Sequence, residues 1–600
     1  NTLYGTPKWW CLRLIGRLQP GVSLPQALVI LDPPFQRAAW IGVPDADPKN
    51  FKPLLALVPA RGIQVVRDQY EQPIEVLMAM VALVLLIACT NVAMLLVARN
   101  SARQREFAVR ISLGAGTGRL LRQLLAESLL LVGAGALLGW FFAVSASSAL
   151  AAWSQIELPF SLDRSVLLFT FGISLACAVV FGLAPLRNVL SASANATLKT
   201  SNAPSQRSKR SSWAGKLLVA AQMALCLTLL LGAGLLVRSL RNYETLPLGL
   251  RTQGLLVFGT SPLNTHNDDE KTLFYQRLVQ RMRAVPGVEF VTLLGNRLGS
   301  GWSDNNVYSI DGVKPSGSWE QIGMRSNDVG PDFLHTLGVP LLEGRDITDA
   351  DGRQAPRVVV VNETFAKRFF PANSPLGHIV GGVEAEGPFT IVGVAADSKY
   401  TTVGERARPV LYFPFSQRSS VSDMEVEVHT SGDPLALIPN LRVALREMDP
   451  ILPMQKPLTQ RAVFDESFSQ PRLFARLAMF FGLLAALLVA TGLYGTLAYR
   501  VSRRTSEIGV RMALGAQRSR VLWMVLEESL LVSAIGIGVG LPLATGGAHW
   551  MRAMLFGVAP GDAFSFMCAL LGVVFVALVA SAVPARRAAS VDPIVALRYE

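Results

Sequence analysis

Seven runs of mainly apolar residues punctuate the chain, at 74–98, 124–146, 165–186, 216–238, 473–499, 523–546 and 563–584. Each reaches roughly the 20 residues that a helix needs to cross about 30 Å of hydrocarbon. The pattern predicts seven membrane spans. Between 238 and 473 the patterning changes to that of a soluble domain. There "KTLFYQRLVQRMRAV" repeats its apolar residues at helical intervals, while "PRVVVVNETFAKRFF" and "FTIVGVAAD" read as buried strands bounded by turn formers. Strands alternating with helices predict α/β or α+β architecture, and the length of this region suggests two subdomains.

The polar segments orient the spans. Residues 99–122 carry six Arg against one Glu, 187–216 carry six basic residues and no acid, and 500–520 repeat the six-to-one ratio. Short loops rich in Lys and Arg stay in the cytosol. The soluble stretches 1–73 and 239–472 are therefore expected outside and the C-terminus inside. An odd number of spans with an external start leads to the expectation that an opening segment precedes Asn1.

Composition agrees: 51% of residues are hydrophobic, 16% are charged, and the mean hydropathy is +0.37. The net charge of +13 lies beside the spans, where anionic headgroups are the nearest partners. No basic patch interleaved with aromatic residues suggests nucleic-acid binding. Of the five cysteines, Cys89, Cys177, Cys226 and Cys568 fall in expected spans and only Cys11 lies outside, so no disulfide framework is expected.

Two segments spell nearly the same text. "EFAVRISLGAGTGRLLRQLLAESLLL" begins at Glu106, and "EIGVRMALGAQRSRVLWMVLEESLLV" begins 401 residues later at Glu507; they agree at 13 of 26 positions. A repeat this far apart implies a large unit used twice. Within each copy Glu106 and Arg110, or Glu507 and Arg511, stand four apart and face one side of a helix. The Gly of each Leu-Gly-Ala triplet suits a change of chain direction. Arg99, Arg103, Arg503 and Arg504 serve adequately as positive anchors, but anchoring does not explain shared apolar positions. A protein-docking surface does.

Inside the spans, Gly135 and Gly139 align with Gly536 and Gly540, a spacing that lets helices approach closely and suggests a packing seam between units. Glu127 and Glu528 lie at span edges, where an interfacial or paired structural role is expected. No chain of further carboxylates runs across the spans, as a proton-driven carrier would want. There is no phosphate-binding loop, no zinc spacing and no nucleophile elbow, and His266, His335, His378, His429 and His549 are scattered. No catalytic residue, metal or cofactor is expected in this chain.

The second copy with the "GIGVG" that follows it, together with the terminal "VPARRAASVDPIVALR", resembles the FtsX-like, MacB-like permeases of ATP-binding cassette (ABC) transporters. "LGVPLLEGRDITDADG", "APRVVVVNETFAKRFFP" and "IVGVAAD" resemble their periplasmic core domain, and the doubled arrangement resembles the duplicated permeases of acidobacteria. The resemblance implies an α-helical polytopic membrane protein of two repeated FtsX-like units with an external α/β or α+β domain, placed in the bacterial inner membrane. It divides the chain into 1–73, the remnant of a first periplasmic domain; 74–190, the first membrane unit; 191–215, a cytosolic linker; 216–238, the first span of the second unit; 239–472, the periplasmic core domain; and 473–600, the rest of the second unit.

The resemblance also implies a coupling helix after the second span of each unit, at Glu106, Arg110, Leu113, Gly114 and Ala115, and at Glu507, Arg511, Leu514, Gly515 and Ala516. A separate cytosolic ABC ATPase, carrying the ATP and Mg that this chain lacks, would dock there. Membrane lipid and a periplasmic adaptor are the other implied partners. Two functions follow: export or extraction of a substrate by mechanical transmission, or signalling to an extracytoplasmic partner without moving substrate.

Overall fold

The computed structural model describes residues 14–42, 53–58, 64–102, 106, 109–110, 116–154, 164–166, 168–173, 175–176, 206–262, 265, 267–316, 319–381 and 387–590. It divides into two compact units, 1–79 and 80–600. The first contains α1 (Leu24–Gly42), whose Asp32 and whose neighbour Pro53 both accept from the Gln36 amide, at 3.1 and 2.8 Å.

Long apolar helices follow: α2 (Gln64–Ala102), α3 (Thr117–Ser154) and α4 (Gln206–Glu244). After the soluble domain come α10 (Ser469–Arg503), α11 (Thr505–Ala513), α12 (Arg518–Trp550) and α13 (Ala563–Ala589). Among the described residues five helices are long and apolar enough to span a membrane: Glu71–Met94, Gly215–Glu244, Ser469–Ser502, Arg518–Met554 and Ala563–Ala589. The expected span at 124–146 falls within α3, where the described apolar stretch is the shorter Gly133–Ser148. Most of the expected span at 165–186 lies outside the described residues. α4, α10, α12 and α13 form a four-helix bundle with α4 at its centre, and Met223, Leu231 and Leu235 of α4 are fully buried.

The soluble domain carries β1 (Leu255–Thr260), β2 (Phe290–Leu294), β3 (Asp304–Asn306), β4 (Ser309–Ile310), β5 (Met324–Val329), β6 (Leu341–Gly344), β7 (Val358–Asn362), β8 (Ile379–Gly381), β9 (Phe389–Ala395), β10 (Val410–Pro414), β11 (Met424–His429) and β12 (Gln455–Thr459). They form one sheet in the order β12-β1-β11-β2-β5-β10-β7-β9-β8-β4, with β3 on β5 and β6 on β9. β5–β10 and β7–β9 are parallel and the other pairings antiparallel. This is mixed α/β structure.

Among the described residues the domain's helices of five or more residues are α5 (Asp268–Arg283), α6 (Phe333–Leu337), α7 (Glu363–Phe369), α8 (Ile438–Met448) and α9 (Gln460–Ser467), with a single turn of helix at Trp319–Ile322. α5 begins at Asn267, whose side chain accepts from the Glu270 backbone N–H, and three acids in its first turn favour the positive end of the helix. The stretch "PRVVVVNETFAKRFF" is only half strand. β7 stops at Asn362, whose side chain caps α7 by accepting from the Phe365 N–H at 3.1 Å. The sheet narrows where β2 and β5 meet through the single pair Leu294–Val329, but a core around Leu255, Leu294, Phe333, Val360 and Tyr412 packs across that junction. One core gathers under α5 and α8 around Tyr275, Leu278 and Leu441, and another around Phe365, Phe389 and Phe413.

Glu427, on the central strand β11, is fully buried, and neither carboxylate oxygen has a hydrogen-bond partner among the described residues. Its cross-strand neighbours are Val257 and Thr292. Burial pushes its pKa well above the ordinary carboxylate range, against a smaller opposing pull from Arg297. The folded state thus keeps a proton that the unfolded chain releases, so stability falls as pH rises from the ordinary carboxylate range toward the folded-state pKa. Glu427→Leu is expected to stabilise the domain by about 1–3 kcal/mol. In thermal unfolding of the detergent-solubilised chain, the gain should be larger at pH 8 than at pH 5.

Candidate functional site

α10 leaves the bundle and breaks at Arg504, where φ is −104° and ψ is 14°. α11 then runs for nine residues. Its Ile508 and Gly509 are buried against the bundle while Glu507, Val510, Arg511 and Ala513 face outward. Glu507 and Arg511 pair at 2.7 Å. The helix stops at Leu514, and Gly515 takes a left-handed backbone with φ +92°. The Gly515 N–H donates to the Met512 carbonyl at 3.1 Å and the Ala516 N–H to the Arg511 carbonyl at 3.0 Å, the double closure of a Schellman turn. A β-carbon at Gly515 would meet no described atom within 4 Å, and it is the backbone angle that calls for glycine. The turn leaves Leu514 84% exposed, an apolar knob beside a charged helix.

In the first copy Glu106 and Arg110 pair at 2.6 Å, and Arg110 also donates to Gln123 at 3.0 Å. Leu113, Gly114 and Ala115 lie outside the described residues.

Behind α11 stands a charge cluster. Glu528 of α12 meets Arg500 at 2.8 Å, Lys216 of α4 at 3.0 Å and Arg504, at the break before α11, at 3.6 Å. One half-buried carboxylate therefore ties three helices to the hinge of the fourth. Glu528→Ala would leave three cations facing one another, at a cost of about 2 kcal/mol, between an exposed and a buried ion pair. The expected readout is earlier thermal unfolding and faster proteolysis at Arg503 and Arg504, with Glu528→Gln intermediate.

Gly536 and Gly540 pack against α4. A β-carbon at Gly536 would lie 2.6 Å from the Met223 β-carbon and 2.7 Å from the Ala220 carbonyl oxygen, and one at Gly540 would lie 2.8 Å from the Ala224 α-carbon. The seam joins two helices of the second half and not one half to the other. At Gly135 and Gly139 a β-carbon would meet no described atom within 4 Å.

At the opposite end of the bundle α4 runs into the soluble domain. Arg238 pairs with Asp562, Ser239 accepts from the Phe556 N–H at 2.9 Å, Asn242 donates to the Gly557 carbonyl at 3.0 Å, and Tyr243 stacks on Phe556 with ring centroids 4.1 Å apart. Five residues after Tyr243, the Lys399 N–H donates to the Leu248 carbonyl at 2.8 Å. Gly249, at φ +72°, sits so close that a β-carbon would fall 2.3 Å from the Asp397 oxygen. The C-terminal turns of α4 are thus fastened both to the 551–562 loop and to the domain.

Sequence reading expected a paired or interfacial Glu528 but not its three partners, and it missed this joint. The first had a signal, since Arg99 and Arg500 occupy the same place in the two copies, as do Glu127 and Glu528. The second had none, because its partners are more than 300 residues apart. Among the described residues no group of three or more potential metal ligands assembles, and His378 pairs with Asp311 at 2.8 Å.

The FtsX-like permease C-terminal family matches residues 78–194 and again 479–593, and the MacB-like periplasmic core domain matches 217–449. The macrolide export ATP-binding/permease protein MacB of Mannheimia succiniciproducens is 27% identical over 289 residues, 45% of this chain and 43% of that protein. The uncharacterized ABC transporter permease YknZ of Bacillus subtilis is 27% identical over 303 residues, 47% of this chain and 71% of that protein. The chain thus spans less than half the length of the MacB relative it matches. The periplasmic region of MacB from Actinobacillus actinomycetemcomitans superposes with a TM-score of 0.26 at 14% identity, covering 36% of this chain and 94% of that one. With two such membrane domains flanking one such soluble domain, the chain belongs to the FtsX-like, MacB-like permeases of ABC transporters and carries the FtsX-like unit twice.

Proposed function

We propose that the chain is the bacterial inner-membrane subunit through which a separate cytosolic ATPase drives a conformational change in the external domain. The observation that carries this reading is α11: a short amphipathic helix, stopped by Gly515, with Leu514 and a charged face turned outward. Glu106, Arg110, Leu113, Gly114 and Ala115 repeat that sequence in the first half, so two ATPase subunits would each find a docking helix. ATP and Mg belong to those subunits, and this chain does no covalent chemistry. Closure of the ATPase pair would push both docking helices. The bundle, tied at Glu528 and fastened at Asn242 and Tyr243, would carry that displacement to the external domain as a rigid-body change.

The useful output is export or extraction of a substrate. The alternative is activation of an extracytoplasmic partner without transport, and a periplasmic adaptor would fit either. Co-purification of the whole chain with its candidate ATPase tests the docking. Cargo-dependent stimulation of ATP hydrolysis in vesicles separates transport from signalling. If no ATPase is retained under mild detergent, the reading fails.

A further inference from the structure

The apolar stripe that α2 buries in the bundle runs through Met80, Val84, Ile87 and Asn91, with Met94 half-buried, at alternating spacings of four and three. Such spacing is that of a helix seam. Met80 reaches Gly232 of α4, where a β-carbon would lie 3.1 Å from its methyl, and Thr496 of α10 lies 3.5 Å from the Met94 sulfur. The first half therefore rests on α4 and α10 of the second.

The one polar residue in the stripe is Asn91, 7% exposed. Its Nδ2 donates to the Leu488 carbonyl at 2.6 Å, and its Oδ1 accepts from Nε2 of Gln222 at 2.9 Å. Gln222 is 1% exposed. Asn91 occupies its place only because residue 492 is glycine: a β-carbon there would fall 2.1 Å from Asn91 Oδ1.

The 401-residue offset between the repeats, which pairs Arg99 with Arg500 and Glu106 with Glu507, also pairs Asn91 with Gly492. The two residues that meet at this joint are thus the same position of the two copies. In a two-fold pair, equivalent positions touch only at the symmetry axis. Here the axis position has been split into a knob in one half and a hole in the other. Two asparagines would collide, and two glycines would leave Gln222 Nε2 without its acceptor beside an Oε1 that already has no partner among the described residues, and an unsatisfied polar group in hydrocarbon is costly.

We propose that Asn91 and Gly492 form a hetero-pairing lock, which makes the two halves of one chain each other's partner and rejects pairing of like halves from separate chains through these helices. A single polar residue at a buried seam position is a known means of fixing register and partner at some cost in stability. The inference rests on the described joint alone and is independent of whether an ATPase docks.

The test uses the whole chain with Cys11, Cys89, Cys177, Cys226 and Cys568 replaced, Met94→Cys and Thr496→Cys introduced, and a protease site inserted after residue 200. A short bis-thiosulfonate linker is applied in membranes, and the halves are then cut apart. Most chains are expected to remain joined within one polypeptide, while Met94→Cys alone gives no chain-to-chain product. Gly492→Asn should lower the intrachain product at least fivefold. Asn91→Gly should lower it about twofold and permit chain-to-chain linkage; it removes a side chain and adds none, so it reports the lock where Gly492→Asn fails to fold. Chain-to-chain linkage by Met94→Cys alone as efficient as the intrachain product, or an unchanged yield in both lock variants, overturns the proposal.

Discussion

Leu514→Arg, combined with Leu113→Arg in the first copy, is expected to reduce retention of the partner ATPase about 30-fold or more while leaving the fold intact. Leu514 is almost fully exposed, so its replacement removes no internal packing. A large apolar side chain held out by a closed turn is the sort of anchor that fills a pocket on a partner, and loss of such an anchor costs about 2 kcal/mol, equivalent to about 30-fold in affinity. Pull-down of the ATPase, with thermal unfolding of the permease as the control, gives the answer. Breaking the exposed Glu507–Arg511 pair with Glu507→Gln should have far less effect, a few tenths of a kcal/mol. Full retention of the ATPase by the double arginine variant would remove the proposed docking surface.

Gly536→Leu is expected to be the most destabilising single change in the membrane bundle. The site has no room for a β-carbon against Ala220 and Met223, so the two helices must separate or shift in register. Overpacking of this kind costs about 1–3 kcal/mol even where neighbours yield, and here one neighbour is a backbone carbonyl. Gly540→Leu meets the Ala224 backbone and should behave similarly, whereas Gly538→Leu, with no described atom within 4 Å, should be tolerated. Unfolding temperatures of the three purified variants in one detergent check the ranking. Equal behaviour of Gly536→Leu and Gly538→Leu would show that α4 and α12 do not pack as described.

What the sequence could disclose was what is encoded locally. The Glu507–Arg511 pair, the direction change at Gly515 and the close-approach glycines Gly536 and Gly540 each depend on spacings of a few residues. The long apolar runs announced the bundle for the same reason. The order of the strands was not legible, since β1 pairs with β11 across more than 150 residues. Nor was the partner of the glycine seam, because two aligned copies of the motif suggested a contact between copies, while the surface that fits belongs to α4. The membership of the Glu528 cluster and the Asn91–Gly492 joint was hidden as well. Their members lie as far as 401 residues apart, and only the fold decides which polar group inside an apolar run finds another.

α4 is continuous from Gln206 to Glu244, and at 1.5 Å per residue its 39 residues span about 58 Å. It is gripped near one end by Lys216 on Glu528 and near the other by Tyr243 on Phe556. On the proposed reading, such a rod would act as a lever. If its base were tilted by only about 5°, its far end would swing by about 5 Å, roughly the pitch of one helical turn. Nothing along the bundle need unfold or open for a modest push at one membrane surface to become a stroke large enough to repack an interface beyond the other.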